Sequence, residues 1–579
     1  MRNLVAEAKA QYKELIEKAV NEAIAAGELP EGEIPKFNIE IPADNKNGDL
    51  ASNVAMVSAK AFRKGPRQIA DAIVAHINLD GTYFEKAEVA GPGFLNVFYA
   101  PHWFAETVSA VLTEKDTYGT GNMGEGKKVM VEFVSANPTG PMHMGNARGG
   151  AIGDGLAEAM KWCGYDVTRE FYINDAGNQI EKFGKSLEAR YLQLHLGEDA
   201  IEFPEDGYHG EDIKVRAKEF TEINGDKYVN AESAERKAAL VAYALPANVE
   251  GLQRDLGKYR INYDVWFRES SLYNDGSIEK VVKILTEKGL TYEKDGALWY
   301  KNAEVLTERF KKEGKTDKQI EALELKDDVI IRANGNPTYF AGDIAYHYNK
   351  FAERGFDKVI NVWGADHHGH VARLQGAMDA VGLDGSKLDV VLMQMVELMR
   401  DGKPEKMSKR TGKAITLTDL LDEVPIDAAR FLFNMREPNT HLLFDLGLAV
   451  KNTNDNPVYY VQYAHARICS ILRALAEEGT ELKEDISLYN FTAPEEFALV
   501  TEIAKFPGEI EESVKTYDPS RITKYAIEVA TMFHKFYNAC RVRGESEEVV
   551  AARTALCAAT KTVIKNVLTM LKVSVPESM

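Results

Sequence analysis

The chain has 579 residues, 45% hydrophobic and 27% charged, an ordinary globular composition with length for roughly three or four domains. No apolar run approaches the roughly 18 residues of a membrane helix. Residues 1–25 mix charged and apolar side chains, without a signal-peptide core, so a cytoplasmic location is expected. The net charge of −19 argues against indiscriminate nucleic-acid binding, because phosphate contacts need Lys and Arg, yet a locally basic face is compatible with it. Cys163, Cys469, Cys540 and Cys557 form no C-x-x-C pair, so buried free thiols are expected rather than disulfides or a thiolate zinc site.

Residues 1–110 read as an α+β domain. An amphipathic helix is followed by an alternating strand at Phe37–Ile41. Pro66 suits the first position of a helix, and Phe94–Phe98 closes the domain as a strand. Residues 111–430 read as an α/β domain. Val129–Val134 is an apolar strand, followed by a Gly/Pro turn and a helix to Trp162 that Gly164 can end. Val167–Ile173, Val359–Trp363 and Val390–Met395 are further strands. This alternation predicts a Rossmann-like, doubly wound parallel sheet. Residues 190–325, rich in Glu and Lys, read as a helical insertion outside the sheet. Residues 431–579 read as an all-α helical bundle.

Two short words about 260 residues apart carry chemistry. His143-Met144-Gly145-Asn146 follows the first strand and opens a helix. Gly145 permits close backbone approach, free N–H groups at the helix start favour phosphate, and His143 can donate to a phosphate oxygen as charge develops. The second word, Lys406-Met407-Ser408-Lys409, begins a stretch with four cations in eight residues (Lys406, Lys409, Arg410, Lys413). Triphosphate is the matching anion: Lys406 and Lys409 suit the β- and γ-phosphates, and Ser408 adds a hydrogen bond. In this order the words read as two halves of one ATP site.

The words resemble the HIGH and KMSK signatures of class I aminoacyl-tRNA synthetases. The longer string V-E-F-V-S-A-N-P-T-G-P-M-H-M-G-N-A-R-G, then Tyr172-Ile173-Asn174-Asp175-Ala176-Gly177-Asn178-Gln179, Gly364-Ala365-Asp366-His367-His368-Gly369 and Y-Y-V-Q-Y-A-H-A-R at 459–467, resembles the arginyl-tRNA synthetases. Gly48–Asn53 and Ala90–Phe94 resemble that family's N-terminal domain. Asn146 departs from the pattern, which more often has His there; it offers hydrogen bonds but no positive charge.

The resemblance implies L-arginine, ATP and arginine tRNA as partners and an arginyl-adenylate intermediate. It implies that Tyr339, Asp343 and Asn137 contact arginine, and also Glu132. Tyr339 and Asp343 stand four apart, so in a helix both face one side, and a carboxylate suits the five-donor guanidinium. Asp366 and His367 are expected to line the adenosine or amino-acid pocket. The spacing of His367, His368 and His370 does not match a helical zinc pair, so no zinc is expected; Mg²⁺ is expected only with ATP. Tyr459, Tyr463, His465 and Arg467 are expected to offer stacking faces and charge to unpaired tRNA bases, and the N-terminal domain to touch the tRNA corner. A monomer is expected. A synthetase for another amino acid, a cofactor nucleotidyltransferase or a silent tRNA-binding paralogue are the alternatives.

Overall fold

The computed structural model describes residues 2–400, 402–405, 415–483 and 485–579. Its centre is a parallel sheet built from short apolar runs. These are β1 (Lys128–Glu132), β2 (Asp166–Ile173), β3 (Val265–Arg268), β4 (Lys358–Gly364) and β5 (Leu388–Met393). Val129, Met130, Val131, Val359 and Ile360 are fully buried, as strands covered on both faces require. The spatial order is β5-β4-β1-β2-β3, all parallel, with Val131 opposite Arg169 and Val359 opposite Met130. From β1 the chain winds outward through β2 and β3, then returns to add β4 and β5 on the other side. The strand order therefore reverses between β1 and β4, where open α/β sheets place their ligand crevice beyond the strand ends.

Helix α1 (Asn146–Trp162) follows β1 and packs closely on the sheet. A Cβ on Gly153 would fall 2.2 Å from the ring of Phe133, so the helix approaches only because that position is glycine. Gly164 takes φ 83° just past the helix end, as its place in the sequence predicts. Helices α2 (Gly177–Leu196), α3 (Tyr339–Tyr348) and α4 (His368–Ala380) complete the frame around the crevice.

The expected insertion at 190–325 is only partly helical and not wholly outside the sheet. Helices Glu211–Asn224 and Ser233–Lys258 pack with α2 around their own core of Phe183, Leu187, Tyr191, Phe220 and Leu240. The segment then returns as β3, an edge strand of the central sheet. Thr291–Lys294, Ala297–Tyr300 and Asp328–Ile331 form a small antiparallel sheet. Strands of four residues flanked by charges leave too short a period to stand out from helical patterning.

The N-terminal region pairs helix Leu4–Ala25 with a four-stranded antiparallel sheet. The strand expected at 37–41 shortens to Ile39–Glu40, because the Asn53 side chain, not a neighbouring strand, accepts the Asn38 N–H at 2.9 Å. The C-terminal region is helical, with helices Pro457–Glu477 and Pro494–Ala504 opening on proline. One buried cluster runs through all three regions, and Phe104 meets Phe497 with ring centres 4.7 Å apart. All four cysteines are buried free thiols.

Candidate active site

The crevice begins where β1 ends. Val134 and Ser135 take φ of 72° and 42°, left-handed values that cost a β-branched residue strain. This turn directs Ser135 Oγ back to donate to Glu132 Oε1 at 3.0 Å while accepting the Tyr172 N–H at 3.2 Å. Glu132 Oε2 accepts from Lys350 Nζ at 2.6 Å, and both side chains are buried. Lys350 reaches inward because α3 runs into a π-turn over Asn349–Glu353, a wider turn common at functional sites. Its ammonium also donates to Asn361 Oδ1 at 3.2 Å and lies 4.0 Å from the Tyr346 ring centre. Glu132 thus has its own cation. Asn137, beyond the turn, is exposed at the mouth and accepts from Asn174 Nδ2 at 2.8 Å.

The opposite wall is α3. Thr338 caps its start by accepting the Ala341 N–H, so Tyr339 and Asp343 share one helical face as their spacing predicts. The Tyr339 ring is half-exposed and lies beside Gly177 at the start of α2. His370 donates to Asp343 Oδ2 at 2.9 Å. Sequence reasoning missed a second carboxyl facing Asp343. Glu269 follows β3 directly, is 3% exposed, and its carboxyl is pushed up to about 7 by burial and then by Asp343 and Asp175. Burial first, then Glu269, Asp343 and Glu132, raises the Tyr172 hydroxyl as well. Asp175 is satisfied by the Ser270 N–H, the Ser270 hydroxyl and Arg268. Among the described residues neither Asp343 nor Glu269 has a Lys or Arg partner.

The first signature pairs through main chain with Ile415–Leu417. The Met144 N–H donates to Ile415 O at 2.9 Å, the Leu417 N–H donates to Met142 O at 2.8 Å, and His143 lies opposite Thr416. The Gly145 N–H donates to His143 Nδ1 at 3.0 Å, and burial lowers the imidazole's proton affinity. The ring is therefore neutral with its proton on Nε2, a donor available to a ligand. Gly145 is the N-cap and Asn146 the first residue of α1, so this donor stands beside a helix N-terminus. Lys406, Met407, Ser408 and Lys409 lie outside the described residues. Their flanks are the hairpin Val396–Arg400 with Lys403–Glu405 on one side and the Ile415–Leu417 bridge on the other. Asp366 and His367 sit in a short turn after β4, both exposed, 3.7 Å apart.

On helix Pro457–Glu477, Tyr459 and Tyr463 are parallel at 6.2 Å between ring centres, and the Arg467 guanidinium lies 5.7 Å from Tyr463 and 4.2 Å from Tyr537. These groups share one half-buried face. His465, expected beside them, is buried instead: its Nδ1 meets Pro576 O at 2.8 Å. Two residues along a helix is about half a turn, which points it to the core.

The doubly wound sheet, the helix opening beyond its first strand, and the bridge from His143 to Thr416 fit a class I aminoacyl-tRNA synthetase catalytic fold. A family model described as "tRNA synthetases class I (R), catalytic domain" matches residues 107–454. "Arginyl tRNA synthetase N terminal domain" matches 10–99 and "DALR anticodon binding domain" 461–579. The chain is 56% identical to the arginine–tRNA ligase of Caldanaerobacter subterraneus subsp. tengcongensis and 52% identical to that of Acetivibrio thermocellus, each over the full length of both proteins. Its fold superposes on the arginyl-tRNA synthetase of Thermus thermophilus with a TM-score of 0.71 at 20% identity, over 97% of this chain and 99% of that one. The chain belongs to the arginyl-tRNA synthetase family.

Proposed function

We propose that the chain ligates L-arginine to its tRNA in two steps at the β1–β4 crevice. The arginine carboxylate attacks the α-phosphate of ATP, forming arginyl-adenylate and releasing pyrophosphate. A terminal ribose hydroxyl of the tRNA then attacks the adenylate carbonyl, releasing AMP. No side-chain nucleophile is required; positioning and phosphate-charge stabilisation supply the catalysis. The carrying observation is the pair Asp343 and Glu269, one half-exposed and one buried carboxyl that, among the described residues, have no Lys or Arg partner. A guanidinium supplies the missing charge and a planar array of donors.

In this reading Asp343, Tyr339 and Glu269 receive the guanidinium, while Asn137 and Glu132 shape the rest of the arginine site. His143 Nε2–H, Gly145, Asn146, Lys406, Met407, Ser408 and Lys409 hold the ATP phosphates, which arrive with Mg²⁺ as part of the substrate. Asp366 and His367 line the nucleoside side. Tyr459, Tyr463 and Arg467 stack against tRNA bases, with residues 1–110 on the tRNA corner, 111–430 catalytic and 431–579 on the anticodon arm. One chain supplies every group, consistent with a cytoplasmic monomer. The test is charging of total tRNA with each of the twenty amino acids in turn. Arginine alone should be esterified; charging with another amino acid, or with none, overturns the proposal.

A further inference from the structure

We propose that His370 is a positioning residue: it holds one oxygen of Asp343 so that the other is presented to the guanidinium. The inference rests on the reading of Asp343 as the arginine-binding carboxylate. His370 comes from α4 and Asp343 from α3, so the 2.9 Å contact between Nε2 and Oδ2 ties together two walls of the crevice. Beside a carboxylate oxygen, Nε2 must be the donor. The imidazole cannot swing away, because its ring lies against Trp363 and Phe340, each with centres 5.6 Å distant. Asp343 Oδ1 accepts no hydrogen bond among the described residues. The carboxylate torsion is broad and roughly two-fold when nothing restrains it, whereas a guanidinium fork needs its acceptor in plane.

The surrounding charges leave His370 to this task. Asp328, the other carboxylate near the ring, is taken up by Arg373 one turn along α4. His347, beneath Asp343 on α3, is held neutral by burial and by Lys350. Its own bonds run in one direction: Lys350 Nζ donates to Asn361 Oδ1, Asn361 Nδ2 donates to His347 Nε2 at 2.8 Å, and His347 Nδ1–H donates to Asp343 O at 2.8 Å. Asp343 is therefore gripped twice, by the carbonyl from below and by the carboxylate from the side. The carbonyl grip fixes the helix turn, and the His370 grip fixes the carboxylate plane.

The experiment measures tRNA charging with arginine and ATP varied separately, on His370→Phe, His370→Gln, Asp343→Asn and the His370→Phe/Asp343→Asn double variant. Circular dichroism melts check folding. A hydrogen bond to a charged group contributes enough that losing it should raise KM for arginine about tenfold or more in His370→Phe, with KM for ATP within about twofold. His370→Gln, which keeps a donor, should recover most of that loss. In the Asp343→Asn background, His370→Phe should add less than about twofold, because the partner it orients has changed. An unaltered arginine KM in His370→Phe, or equal losses for both substrates without rescue by Gln, overturns the positioning role. If Asp343→Asn raises the arginine KM while His370→Phe does not, only this inference fails. If Asp343→Asn itself leaves the arginine KM unchanged, the reading of the pocket fails with it.

Discussion

The crevice treats its two sets of carboxylates in opposite ways. Glu132 is buried with a cation of its own, Lys350, and a hydroxyl from Ser135. Asp343 and Glu269 face each other with His370 and the Tyr273 hydroxyl at hand but, among the described residues, no Lys or Arg, and Glu269 is pushed up to about 7. A buried carboxylate already neutralised is structure; a pair left short of positive charge is a site awaiting a cation. That difference is the ground for proposing that the guanidinium binds at Asp343 and Glu269.

The comparison can be broken most severely at Lys350. Lys350→Met should leave Glu132 buried and unpaired, lowering stability by about 3–5 kcal/mol, and Glu132→Gln in the same chain should restore much of it. Thermal melts of the single and double variants read this directly; a single variant as stable as the parent would mean Glu132 is hydrated rather than paired. At the other set, Asp343→Ala should lower kcat/KM for arginine by about 10²–10³ with KM for ATP nearly constant, in line with the loss of one charged partner to the guanidinium. Charging kinetics near normal in arginine would remove Asp343 from the pocket.

Glu269 sharpens the comparison through pH. Below about 7 its carboxyl is protonated and attracts a guanidinium less, so KM for arginine should rise about tenfold as pH falls from 8 to 6. Glu269→Gln should flatten that profile; an identical slope in the variant would assign the titration elsewhere. The same group binds its proton more tightly folded, at about 7, than at its ordinary value of 4.5. It therefore costs stability progressively as pH rises from 4.5 through 7. Glu269→Gln should melt higher than the parent at pH 8 and gain nothing at pH 4. The smallest effect belongs to Ser135→Ala, which removes one hydrogen bond to Glu132 and one from the Tyr172 N–H. About 1 kcal/mol of stability is expected, with little change in arginine affinity.

The central strands, the helix opening at Asn146 and the shared face of Tyr339 and Asp343 were legible because each is a local pattern of fewer than about ten residues. Glu269 was not, since Arg268-Glu269-Ser270 looks like more of a charged helical stretch. Its burial arises only when Arg268 pairs with Ile173 in the parallel sheet. Lys350 likewise reads as a surface lysine, and only the π-turn after α3 brings it to Glu132. His465 was misplaced because a motif string gives order along the chain but not the side of the helix. The left-handed turn at Val134 has no sequence mark at all; glycine would announce it, and valine conceals it.

The main-chain bridge from Met142–Met144 to Ile415–Leu417 has a temporal consequence. Its halves are ~270 residues apart, so closing it is among the more costly loop closures in folding. During synthesis from the N-terminus the first signature emerges long before its partner strand exists. A nascent chain shorter than residue 417 lacks the segment that pairs with Met142–Met144 just ahead of α1. The main chain around His143 therefore gains its full set of partners only once synthesis has passed Leu417.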